Sequence, residues 1–135
     1  MKVLSVGLLL ILVFALSCKE KPTPAKVPID MSSLTQSWTH SFEEESDSIA
    51  LYRPSDYKNY PGARYRDNFD LQNDGSCNYM VLSPDDAHYS VRGTWSVRIS
   101  DGTIVELRDT LGNIHYVLKV VELRSDLLRI LKLQE

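Results

Sequence analysis

The side chains best equipped for chemistry crowd into one stretch of this 135-residue chain. His40, Ser41, Phe42, Glu43, Glu44 and Glu45 precede Tyr52-Arg53-Pro54, and these precede Arg64-Tyr65-Arg66-Asp67. If the first of these runs is an extended strand, Glu44 shares the side of Trp38 and His40 and points inward. A buried carboxylate requires a partner, and Arg53 and Arg66 are the candidates. Two roles fit such a pair. One is a structural ion pair at the rim of a β-structure; the other is a polar anchor for a ligand's carboxylate or amide in an otherwise apolar cavity. Acid–base catalysis by Glu44 with His40 is the enzymatic version, but nothing in the spacing demands it. The expectation is a non-catalytic protein.

The remaining reactive residue types are scattered. His40, His88 and His115 lie on different segments without metal-ligand spacing, so a zinc site with Asp85 or Asp86 would need convergence by folding. No Gly-x-Ser-x-Gly elbow, His-Glu-x-x-His pair or Gly-rich phosphate loop occurs, and no cofactor is implied. Ser83-Pro84-Asp85-Asp86 reads as a solvated turn rather than a calcium loop. Cys77 has no obvious thiolate stabiliser in its neighbours Asn78 and Tyr79, and burial is expected for it.

The elements that must position these residues are strands. Short segments rich in Val, Ile, Tyr, Trp and Thr are separated by turn residues every 8 to 12 positions, the pattern of an antiparallel sandwich or barrel. In the first strand Leu34, Trp38, His40 and Phe42 share one side. Ile49 to Arg53 forms a second strand closed by Pro54, and residues 55–63, containing Pro61-Gly62, form a long loop, a candidate lid. Arg64 to Gln72 alternates Tyr65, Phe69 and Leu71 against Arg66, Asn68 and Asp70. Asn73-Asp74-Gly75 then makes a tight hairpin into Cys77 to Leu82. A strand carrying Tyr89, Val91, Gly93, Trp95, Val97 and Ile99 follows. Thr103 to Arg108, Ile114 to Leu123 and Leu127 to Leu133 complete eight strands. Eight strands with short connections tend to close, which removes exposed edges and leaves room for side chains or one small ligand.

At the N-terminus, Lys2 precedes an apolar run from Val3 to Leu16 that ends at Cys18-Lys19-Glu20-Lys21. The run is shorter than the roughly 20 residues a membrane-spanning helix needs and has the form of a secretory signal. The junction Phe14-Ala15-Leu16-Ser17-Cys18 resembles the lipobox of bacterial lipoproteins. That resemblance implies cleavage before Cys18, acylation of its side chain and amine, and a lipid anchor in the cell envelope, most simply in the outer membrane, facing the periplasm or the surface. The expected organisation is therefore a signal peptide over 1–17, the lipidated cysteine and a Pro/Lys-rich tether over 18–33, and one domain over 34–135. Removing residues 1–17 leaves 14 basic against 18 acidic residues, a net charge of −4. Arginines interspersed with acids do not form the basic stripe of a nucleic-acid-binding protein.

A second resemblance spans the domain. Leu34-Thr35-Gln36-Ser37-Trp38, Gly93-Thr94-Trp95 and the ending from Tyr116-Val117-Leu118 to Leu127-Leu128-Arg129-Ile130-Leu131 resemble bacterial lipocalin-like domains, with Gln36 where that family's opening motif has glycine. The resemblance implies an all-β, eight-stranded up-and-down barrel with Trp38 plugging its floor, and a binding role without naming a ligand. A small apolar or amphipathic ligand is then expected between Trp38, Phe69, Tyr79 and Trp95, with Glu44, Arg53 and Arg66 as polar anchors. The alternative is a filled barrel that binds an envelope protein through its outer face or the 55–63 loop.

Overall fold

The computed structural model describes residues 28–133, so the signal segment, Cys18 and most of the tether lie outside the described residues. A short helix, α1 (Met31–Leu34), leads into β1 (Ser37–His40), β2 (Ala50–Pro54), β3 (Asn68–Leu71), β4 (Ser76–Leu82), β5 (His88–Val97), β6 (Ile104–Asp109), β7 (Ile114–Arg124) and β8 (Leu127–Leu133). The strands pair antiparallel and close into an eight-stranded barrel. The expected fold class is thus the observed one.

Alternation builds the interior. Trp38, Tyr52, Phe69, Leu71, Cys77, Tyr79, Trp95, Val105, Leu107, Leu118, Leu128 and Ile130 form one buried cluster, each on the inward side of its strand. The hairpin between β3 and β4 turns at Gly75, whose φ of +83° lies in the left-handed region that glycine tolerates. Gly93 has a different reason: a Cβ there would lie 1.8 Å from the Arg108 carbonyl oxygen and 3.2 Å from the Tyr79 ring, so only glycine permits β5 and β6 to approach across it.

The order around the barrel is β1-β2-β8-β7-β6-β5-β4-β3 and back to β1. From β3 to β8 this is the expected up-and-down meander. The first three strands depart from it, because β1 lies between β2 and β3, with Trp38 facing Pro54 on one side and Phe69 on the other. The barrel closes by β8 pairing with β2. The connection from β2 to β3 must therefore cross β1, and the chain spends residues 55–67 on it, longer than the loop predicted over 55–63. A hairpin loop of 2 to 5 residues would not span this crossing.

Other boundaries moved as well. Asp30 caps α1, its Oδ1 accepting from the Ser32 N–H at 3.0 Å. Leu34, expected as a strand residue, is instead the buried last residue of this helix. Ile29 packs against the core, so the predicted 18–33 tether is shorter than expected at its domain end. The first strand stops at His40 rather than running to Phe42, because Phe42–Glu44 coils into a 3-10 turn. β5 stops at Val97, which leaves Ile99 fully exposed instead of inward.

Candidate functional site

The aromatic residues predicted to line a ligand cavity are all interior, and they are packed. Trp38 is completely buried and donates its Nε1–H to the Leu34 carbonyl at 2.9 Å, so α1 and Trp38 together plug one end of the barrel. Trp95, near the same end, donates to the Gln72 carbonyl at 2.9 Å. Further up, the Tyr52 and Phe69 ring centroids are 4.9 Å apart, and His40 stacks on Tyr52 at 4.9 Å with planes 19° apart. Tyr79 contacts His115 at 5.2 Å and Tyr116 at 5.6 Å. These are ring-on-ring contact distances.

Towards the other end, sequence reasoning missed an interior polar group. Asp67 is 4% exposed. Its Oδ2 accepts from the Tyr52 hydroxyl at 2.7 Å and pairs with Lys132 Nζ, while its Oδ1 accepts from the Tyr65 hydroxyl at 3.3 Å. Burial, with the Asp67 charge beside it, pushes the Tyr52 hydroxyl's pKa far above its ordinary value; Tyr65 moves the same way for the same causes. The signal was available in the two-residue period: Asp67 is in phase with Phe69 and Leu71, and Lys132 with Leu128 and Ile130. Tyr79 has the one buried side-chain polar atom without a partner among the described residues, its hydroxyl.

Glu44, Arg53 and Arg66 do not join this interior. The 3-10 turn reverses the expected phase, and Glu44 ends on the outer face with Arg53, which alternates outward beside the inward Tyr52. There Glu44 accepts from Arg53 Nη2 at 2.9 Å, Lys58 Nζ at 2.9 Å and the Ser41 hydroxyl at 2.6 Å. Arg53 also reaches the Asp126 carbonyl at 2.9 Å and lies 4.5 Å from the centre of the Tyr57 ring. Arg66 is not Glu44's partner: it forks onto Glu43, reaches the His40 carbonyl at 2.7 Å, and lies between Phe42 and Tyr60 at 4.3 and 5.3 Å from their ring centres. The prediction of inward polar anchors is corrected accordingly. The arginines hold Glu43 and Glu44 at pKa values of about 2 against an ordinary 4.5, through their hydrogen bonds above all.

What this outer cluster does mechanically is plain from its partners. The 55–67 segment leaves β2 with the Ser55 N–H donating to the Ser37 carbonyl at 2.9 Å, and it rejoins the barrel through Arg66 on His40. Glu43, Glu44, Arg53 and Arg66 buckle this strap down across β1. Two grooves open beside it on the outer surface. One, about 340 Å3, is lined by Asp47, Leu51, Arg53, Glu122 and Arg129; the other, about 350 Å3, by Gln36, Ser37, Pro54, Ser55 and Asp56.

The other candidates separate. His40 bonds Glu45 at 2.6 Å, His88 lies 6.0 Å from the Tyr65 ring, and His115 sits on Tyr79. Among the described residues no three His, Cys, Asp or Glu side chains converge as metal ligands. Ser83–Asp86 is a turn, with Asp86 at φ 64° and bonded to Arg64. Cys77 is buried in the core, and burial pushes its thiol up to about 11. Comparison with known proteins gave no match, whether to a protein-family model, a curated protein or a solved structure.

Proposed function

We propose that the protein is a non-catalytic binding module of the cell envelope, anchored through acylated Cys18, whose barrel is filled by its own side chains and which works through its outer surface on a protein partner. The observation that carries this reading is the separation of the two predicted halves of a ligand site. Trp38, Phe69, Tyr79 and Trp95 pack inside, while Glu44, Arg53 and Arg66 close on other partners outside. A cavity ligand would need a polar anchor facing the apolar wall, and these three residues do not supply it. The anchor and location rest on the N-terminal pattern of Lys2, the Val3 to Leu16 run and Cys18. A filled barrel takes up no fluorescent fatty acid or anilinonaphthalene probe at one-to-one stoichiometry. Saturable uptake of one probe per chain, displaced by a natural lipid, would overturn the reading in favour of a small apolar cargo.

A further inference from the structure

β5 is longer than its neighbour. β4 pairs with it along its upper part, from His88 to Thr94, but β6 pairs only from Gly93 to Val97 and then turns away after Asp109. Residues 88–92 therefore have a sheet partner on one side only. Five residues at about 3.3 Å each make an open edge of roughly 16 Å. The side that is open follows from the backbone alternation. The Trp95 N–H points to β4, donating to the Gly75 carbonyl, and the Arg98 N–H points to the β6 side, donating to the Ile104 carbonyl. By the same parity His88, Ser90 and Arg92 aim their N–H and C=O groups at the open side. His88, Tyr89, Ser90 and Arg92 are all exposed, with Tyr89 at 52%.

An open edge invites an added strand, and proteins commonly blunt such edges. The side chains here specify which strand would fit. Among the described residues, every arginine but Arg92 pairs with a carboxylate: Arg53, Arg64, Arg66, Arg98, Arg108, Arg124 and Arg129 are all so engaged. Arg92 stands exposed on the outward side of the open edge with no acid beside it. On the opposite side of the same segment stand Tyr89 and the half-buried Val91, and Leu111, 85% exposed, is at the tip of the neighbouring turn. A second copy of the chain is a poor occupant. Antiparallel pairing of two such edges about Ser90 sets Arg92 of each copy opposite His88 of the other, and no carboxylate meets either arginine.

We propose that the His88–Arg92 edge of β5 is a strand-addition site for an extended segment of a protein partner in which acidic residues, set opposite Arg92, alternate with apolar residues that cover Tyr89. This deepens the protein-partner reading and rests on it. Main-chain hydrogen bonds to His88, Ser90 and Arg92 supply the attachment, and the alternating side chains supply the preference.

The test uses full-length protein and three end-blocked heptapeptides: one alternating Glu and Val, one alternating Lys and Val, and the Glu/Val peptide N-methylated at alternate residues. Amide hydrogen exchange and peptide affinity are read on wild type, Ser90→Pro and Arg92→Glu. Proline at 90 removes an N–H that no strand uses, so the fold should be kept, which an unchanged melting temperature checks. Expected are slowed exchange at the Ser90 amide with Glu/Val, at least tenfold weaker binding of the Lys/Val and N-methylated peptides, loss in Ser90→Pro, and reversal of the charge preference in Arg92→Glu. Equal binding to wild type and Ser90→Pro, or no binding of any peptide at millimolar concentration, would overturn the site. Concentration-dependent dimers abolished by Ser90→Pro would assign the edge to a second copy instead. None of these failures touches the filled barrel, which stands or falls on probe uptake.

Discussion

The Asp67 network supplies the sharpest quantitative expectation. Replacing Asp67 with Ala leaves the Tyr52 hydroxyl, in a fully buried residue, without the carboxylate oxygen that sat 2.7 Å away. An orphaned buried hydroxyl costs about 1–3 kcal/mol. Lys132 keeps a side chain 40% exposed and can return to water, so its lost pair adds at most about 1 kcal/mol. The single substitution should therefore destabilise the domain by about 3 kcal/mol. Tyr52→Phe removes the donor and keeps the ring, while Asp67 retains Lys132 and Tyr65, so about 1 kcal/mol is expected. In the double variant the buried Tyr52 hydroxyl is removed together with its acceptor, while the half-buried Tyr65 hydroxyl loses Asp67 just as in the single variant, so the loss should fall short of the sum by about 1–2 kcal/mol. Urea unfolding midpoints at unchanged slope give all three values. Additivity within about 0.5 kcal/mol would refute the idea that Asp67 is held in the interior to satisfy Tyr52.

Three more outcomes follow from the same geometry. Gly93→Ala forces a Cβ against the Arg108 carbonyl and should cost at least about 2 kcal/mol by thermal unfolding, against a few tenths if β5 and β6 can separate freely. Glu43 and Glu44 have folded pKa values below their ordinary 4.5, so the stability they add is complete above pH 4.5 and is lost as pH falls through about 2. Ring-proton shifts of Tyr57 and Tyr60 should report the strap's release in that window, and a transition centred near 4.5 would show that the arginines do not hold the acids. Cys77, buried and with its thiol raised to about 11, should resist N-ethylmaleimide at pH 7.5 in the native state and react at once in urea; rapid native labelling would place it at the surface.

Much of the barrel was legible because local rules govern it. Leu127–Leu133 was read with its observed ends, since the polar Ser125-Asp126 pair leaves little freedom over where the apolar run begins. Asn73-Asp74-Gly75 specified its hairpin through the positive φ at Gly75. What escaped was decided by contacts distant in sequence. The place of β1 between β2 and β3 is a matter of pairing between strands distant in sequence, Trp38 facing Pro54 on one side and Phe69 on the other, and no local pattern encodes it. Glu44 was assigned inward by extending a strand past His40; the 3-10 turn at Phe42 breaks that phase, and Arg53, Lys58 and Ser41 draw the carboxylate outward. Asp67 was passed over because a carboxylate between Tyr65 and Phe69 looks like a break in an apolar series. Its burial makes sense only once Tyr52 and Lys132, fifteen residues before it and sixty-five after it, are brought alongside.

The measurement that bears most directly on the proposal of a filled, surface-acting barrel is native mass spectrometry of the protein extracted gently from its native host. The expected mass is that of the chain processed at Cys18 and carrying acyl chains, with no further small molecule held non-covalently. A stoichiometric small-molecule adduct that survives extraction and is lost on denaturation would contradict it and return the interior to the role of a ligand cavity.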